Sequence, residues 1–174
     1  EVGIDVVAEG YDLVLRIGEI EDSSLIMRRI ATLRRILCAS PEYLKDSGVP
    51  ESPSDLTSHR ILHYGWERTG THWRLASPDE TTSVEVTPSF CANNGEVLAA
   101  AAVGGQGVVL LPGFIADPDL QSGRLVRVLP DYEASSVELV ALWPSNRLLA
   151  TRVRRMIDFL VERYADQEIW NAAE

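Results

Sequence analysis

The chain has 174 residues, 45% of them hydrophobic, with 26 acidic against 16 basic side chains and a formal net charge of −10. That length and apolar content suit one domain or two small lobes with a real core. The acidic balance weighs against a broad phosphate-binding face, because such a face must carry the cations that displace condensed counterions. No apolar run approaches the roughly 20 residues needed to cross a bilayer, and Glu1-Val2-Gly3-Ile4-Asp5 has no basic flank or hydrophobic stretch of an export signal, so a cytoplasmic location without a membrane partner is expected.

The first element is the apolar run of Gly10-Tyr11-Asp12-Leu13-Val14-Leu15-Arg16-Ile17-Gly18, bounded by glycines, which predicts a buried strand ending in a turn. The acids of Glu19, Glu21 and Asp22 then read as a solvated turn. Leu33 to Ala39 predicts a second strand. Ser40-Pro41-Glu42-Tyr43-Leu44 supplies a cap residue, a proline at the first helical position and an early acid, so a helix starts there and ends at Ser47-Gly48 and Pro50. Ser54-Asp55-Leu56 predicts a short helical turn, and Ile61-Leu62-His63-Tyr64 a strand. From Trp66 to Thr82 turn-forming residues crowd around Trp73 and Leu75, as in a loop and short hairpin, before Val84 and Val86 resume a strand pattern.

Asn93-Asn94-Gly95-Glu96 leads into Val97 to Val103, a helix with an asparagine cap and glycines at its far end. Val108 to Pro112, Leu125 to Pro130 and Val137 to Trp143 predict three more strands. Val153, Met156, Ile157, Leu160, Val161 and Tyr164 recur at spacings of three and four, which lays one apolar stripe along a closing helix. This short alternation of helix and strand predicts an α/β architecture with a largely parallel sheet.

Few residues are arranged for chemistry. His59 and His63 stand four apart, but Arg60-Ile61-Leu62 reads as strand and His72 is the only other histidine, so surface or strand histidines are favoured over a metal site. Gly104-Gly105-Gln106-Gly107 follows a helix and precedes a strand, the reverse of the order in a nucleotide-binding turn, and reads as a helix end and tight turn. No Gly-x-Ser-x-Gly elbow exists, and no nucleophile, base and orienter assemble, so neither an enzyme nor a cofactor is expected. Cys38 and Cys91 sit in apolar contexts that suit small buried thiols, with a disulfide between them as the alternative. Asn93-Asn94-Gly95 has two readings, a plain helix cap or a site where free amides meet an anion. Arg16 likewise pairs either with an anionic ligand or with an internal acid.

Taken in order, Glu9 to Gly18, Leu33 to Leu44, Leu56 to Arg60, Ala92 to Gly95 and Gly107 to Pro112 resemble successive blocks of the effector-binding domain of LysR-type transcriptional regulators, with details closest to the CrgA-like subgroup. The resemblance runs from about Asp5 to Tyr164. It implies a fold like the type II periplasmic binding proteins, two α/β lobes joined by the crossing strands Leu33 to Ala39 and Val137 to Trp143. The first lobe would hold 1–39 and 143–174 and the second 40–142. A small-molecule effector would lie between them, lined by Arg16, Ile17 and Gly18, by Ser40 and Pro41, by Tyr64 and Trp66, and by Asn93, Asn94 and Gly95. A small organic acid fits Arg16 and the helix start, whereas the aromatic rings would suit a planar ligand. The family's DNA-binding winged helix-turn-helix has no counterpart in this chain, nor do the first strand and helix of the sensor. DNA contact would therefore come only through a missing N-terminal domain, in a parent protein that forms a homodimer or tetramer. A free-standing solute-binding protein of the same fold is the alternative.

Overall fold

The structure is a computed structural model that describes residues 10–18, 25–66, 69, 71–145 and 150–164. The acidic turn at 19–22 lies outside the described residues. The chain divides into two compact units: unit 1 is Arg34–Ser135, and unit 2 comprises the described parts of 10–33 and 136–164. Two long strands, β2 (Leu25–Ala39) and β9 (Glu133–Pro144), contribute residues to both units, and the two expected crossing strands lie inside them. β2 begins at Leu25 rather than Leu33. Its first half was illegible because arginines interrupt the apolar pattern; in the structure Arg28 reaches Asp158 at 2.7 Å and Arg29 reaches Glu138 at 3.1 Å, so strand and charge coexist.

In unit 1 the end of β2, the strand at Val108–Pro112 and the Ile61-Leu62 pair bury both faces, which is why they read as continuous apolar runs. Along β2, Leu37 and Ala39 join one core while Ile36 and Cys38 join another. β7 (Val108–Pro112) alternates in the same way, with Val108 and Leu110 on the first face and Val109 and Leu111 on the second. The first core also takes Tyr43 and Leu44 from α1 (Pro41–Ser47), Leu56 from the 3-10 turn Pro53–Ser58, and Trp73, Leu75, Val84 and Val86 from the hairpin of β4 (Thr71–Ala76) and β5 (Thr81–Val86). The second core is roofed by α2 (Gly95–Val103) and α3 (Gly113–Gln121) through Leu98, Ala99, Ala102 and Ala116. Fully burying a leucine such as Leu98 stabilises by about 1.5–3 kcal/mol, so these two helices are held by packing more than by propensity.

The sheet is mixed, and the expectation of a largely parallel one is corrected. β3 (Ile61–Tyr64) runs parallel to β6 (Pro88–Ala92) on one side and to β7 on the other. Antiparallel pairs are β2 with β7, β2 with β8 (Val126–Arg127), β4 with β5, and β4 with β9. The antiparallel course of the long strands and the hairpin expected around Trp73 and Leu75 set this balance. β6 and α3 were not anticipated. β6 opens on a proline, and α3 contains Gly113 and Pro118, residues that ordinarily end elements.

In unit 2, β1 (Val14–Ile17) pairs antiparallel with β9, from Val14 opposite Leu142 to Ile17 opposite Leu139. β1 is only half-buried: Leu15 and Ile17 are exposed, against the expectation of a buried strand. α4 (Thr151–Tyr164) packs Val153, Ile157, Leu160, Val161 and Tyr164 onto Ile30, Ala31, Leu33 and Ala141. Met156 does not join that stripe and is 50% exposed. At 3.6 residues per turn neighbouring side chains stand about 100° apart, which turns Met156 away from the face that Ile157 uses.

Candidate functional site

Unit 1 presents one edge suited to a ligand. β3, β6 and β7 are mutually parallel, so their carboxyl ends, Tyr64, Ala92 and Pro112, lie along one side of the sheet, and both α2 and α3 begin there. In open α/β sheets ligands are met at this edge. Tyr64 lies opposite Ala92 in register, and Gly65 continues the pairing by donating its N–H to the Ala92 carbonyl at 3.0 Å. Gly65 has φ +128°, a conformation that favours glycine and turns the chain out of the strand. Tyr64 is 53% exposed and Trp66 58% exposed, two large rings left uncovered beside the start of α2.

The helix start itself is more occupied than its sequence implied. Asn94 is the N-cap, and its Oδ1 accepts the N–H groups of Glu96 at 2.8 Å and Val97 at 3.2 Å. The plain-cap reading therefore accounts for Asn94. Gly95 also has a packing reason: a Cβ there would come within 2.5 Å of the tip of Ile115, so its smallness seats α2 against α3. Asn93 is exposed and lies directly after β6, outside the cap and packing roles of its two neighbours.

Ser40 and Pro41 do not join this edge. β2 runs antiparallel to β7, and next to its end Cys38 pairs with Val109 and Arg127, so the chain emerges at Ser40 beside the start of β7 rather than its finish. Ser40 is buried, and its Oγ accepts the Tyr43 N–H at 3.2 Å as the cap of α1. That bond gives Ser40 a capping role. The second expected ligand loop, Arg16-Ile17-Gly18, lies in unit 2: Arg16 pairs with Val140, Ile17 is exposed, and Gly18, with φ +118°, donates its N–H to the Glu138 carbonyl at 3.1 Å.

The other chemically notable groups do not assemble into a reactive cluster among the described residues. Cys38 is fully buried; burial, with the charge of Asp119 second, pushes its thiol up to about 12, which keeps it protonated. Cys38 and Cys91 are both free, so the disulfide alternative is not realised. His59 hydrogen-bonds Tyr43 instead of meeting His63, which lies in β3 opposite Cys91. Among the described residues no three His, Cys, Asp or Glu side chains gather as metal ligands. Arg34 Nη2 pairs with Asp117 Oδ1 at 3.1 Å, linking β2 to α3. A shallow groove of about 450 Å³ runs between α2 and α3, past Ala99, Val103, Phe114 and Ile115.

Comparison with known proteins bears on this geometry. Residues 3–165 match the family described as the LysR substrate binding domain. An uncharacterized HTH-type transcriptional regulator of Haemophilus influenzae is 36% identical over 150 residues, covering 86% of this chain and 52% of that protein. The HTH-type transcriptional regulator CrgA of Neisseria meningitidis is 31% identical over 160 residues, covering 91% of this chain and 53% of its own. The solved structure of the CrgA regulatory domain superposes with a TM-score of 0.77 at 30% identity, covering 94% of this chain and 80% of that one. The chain thus spans about half the length of the curated relatives it matches.

Proposed function

Because this chain belongs to the LysR substrate-binding-domain family, we propose that it is the effector-sensing part of a longer DNA-binding transcriptional regulator and not an enzyme. Regulators roughly twice its length, rather than free-standing binders, are the proteins it resembles, and this observation carries the reading. In that longer protein an N-terminal head contacts DNA, the sensor assembles as a homodimer or tetramer, and the whole works in the cytoplasm. Among the described residues no helix is long and apolar enough to cross a membrane. The lobes of the proposal are 1–39 with 143–174, and 40–142; the compact units divide at 33/34 and 135/136, within the same two strands.

The proposed effector is a small acid with a planar apolar body. The exposed rings of Tyr64 and Trp66 support the planar part, since they leave apolar faces uncovered next to polar groups. Asn93 and the backbone at Gly95 are the proposed partners of the acid, with Arg16, Ile17 and Gly18 contributing from unit 2 as the family resemblance implies. Asn94 holds α2 in place behind them.

The test is a thermal-shift titration against aromatic, aliphatic and amino acids. A ligand that binds only the folded state raises the melting temperature in a saturable way, and at a hundred times its Kd adds about 2.7 kcal/mol. We expect an aromatic acid to produce such a shift and Tyr64→Ala to remove most of it. A shift that survives Tyr64→Ala, Asn93→Ala and Arg16→Ala alike would displace the site while leaving the family reading intact.

A further inference from the structure

At the opposite edge of unit 1, where β2 finishes and β3 begins, a buried tyrosine and a histidine share a hydrogen bond that effector binding leaves unused. Tyr43 of α1 is 3% exposed. Its hydroxyl oxygen accepts the Arg60 backbone N–H at 2.9 Å and lies 3.0 Å from His59 Nδ1. A tyrosine hydroxyl has a single hydrogen. The Arg60 amide takes up one lone pair of that oxygen. We propose that the Tyr43–His59 contact is a proton-operated latch, in which the hydroxyl hydrogen is donated to a bare His59 Nδ1 and the imidazole proton sits on Nε2. Neutral His59 holds α1 to the connection between the 3-10 turn and β3. Protonation of Nδ1 leaves the hydroxyl hydrogen without its acceptor and sets a second donor against an oxygen that already accepts from Arg60, which loosens α1.

The surroundings determine how the latch titrates. Asp55, from the 3-10 turn, is the charged group whose field reaches His59, and it favours the protonated form. Arg60 does not face the imidazole; its guanidinium lies 5.0 Å from the Tyr43 ring centroid and donates to the Gly105 carbonyl at 2.7 Å. β5, which also packs on the 3-10 turn, turns the apolar Val84 and Val86 into the core there. Partial burial outweighs Asp55 and holds His59 below its ordinary value of 6.5. The unfolded chain therefore takes up the proton first. The stabilisation is present above about 6.5 and is lost as the pH falls through the lower folded value. The Arg60–Gly105 bond also ties this corner to the turn after α2, so loosening the latch reaches the far end of the helix whose start borders the candidate effector site.

The experiment is imidazole nitrogen NMR of His59 in the full chain, with amide hydrogen exchange along α1. We expect a neutral ring protonated on Nε2 at about pH 7.5, and α1 exchange, corrected for its intrinsic pH dependence, that quickens about tenfold between roughly pH 7.5 and pH 5. His59→Asn offers an acceptor near the Nδ1 position without a titration, so its α1 exchange should be independent of pH. Tyr43→Phe should exchange fast at both pH values. A His59 that titrates at or above about 6.5, or carries its neutral proton on Nδ1, would overturn the latch. So would equal pH dependence in the parent and His59→Asn. The wild-type ring titration decides the matter even if a variant fails to fold.

Discussion

Gly107→Ala is expected to destabilise the domain by about 3 kcal/mol or more, among the largest effects of any single methyl group here. Val108 donates its N–H to the Arg60 carbonyl at 2.8 Å, which draws the start of β7 against the residue before β3. At Gly107 the backbone has φ +156°, and a Cβ would stand 2.3 Å from the Arg60 carbonyl oxygen and 2.9 Å from its carbon. Both obstacles are backbone, so neither swings aside as a side-chain tip would. The parallel pairing of β3 with β7 would have to open, and with it the join between the two cores. Gly104→Ala, in the same glycine-rich turn, is the control: its nearest neighbour would be the Ala100 carbonyl oxygen at 3.4 Å, with no unusual φ, and it should be close to neutral. Urea denaturation of both variants checks the contrast. A Gly107→Ala protein within about 1 kcal/mol of the parent would mean that this turn is not the pinch point described.

Arg34→Met is expected to cost about 3 kcal/mol near neutral pH, because it strands a carboxylate that is nearly buried. Arg34 is the first residue of unit 1 on β2, and its partner Asp117 belongs to α3, with side-chain exposures of 26% and 10%. Burial pushes the Asp117 carboxyl above its usual 3.8, while the charge and hydrogen bond of Arg34 partly offset that push. Without the guanidinium the carboxyl rises further. A group whose folded value lies above its unfolded one penalises the folded state as pH rises through it, so the deficit of Arg34→Met should shrink as the solution is made acidic. The double variant Arg34→Met, Asp117→Leu replaces the pair with apolar volume and should recover most of the loss. A deficit that is flat with pH, or one that the second substitution leaves unchanged, would indicate that Arg34 matters for its packing and not for its charge.

The parts of the fold that the sequence disclosed are those whose burial shows as an unbroken apolar run or as a helical stripe. β3, β7 and α2 were legible because Ile61-Leu62, Val108 to Leu111 and Leu98 to Ala102 are apolar runs with turn or cap residues at their ends. The first half of β2 was hidden by arginines whose carboxylate partners lie more than a hundred positions away, and α3 by Gly113 and Pro118. Strand direction is still less local. Nothing near Ser40 reveals that β2 runs against β7, and this alone sends Ser40 to the edge opposite Tyr64. The candidate site was legible as residue types, an exposed aromatic pair and an asparagine-capped helix. The division of labour within Asn93-Asn94-Gly95 was not, since Asn94 spends its carbonyl on two helix amides and Gly95 yields space to Ile115, a neighbour on another helix.

The central claim, that this chain senses a small molecule on behalf of a DNA-binding protein, is tested most directly by footprinting the complete regulator on its own promoter with and without a ligand that raises its melting temperature. A ligand acts as a switch only through different affinity for two states of the protein. The account predicts a ligand-dependent change in the length or position of the protected DNA, abolished by Tyr64→Ala at unchanged fold stability. A complete protein that binds the ligand yet protects the same DNA to the same extent, or that carries no DNA-binding head, would contradict it.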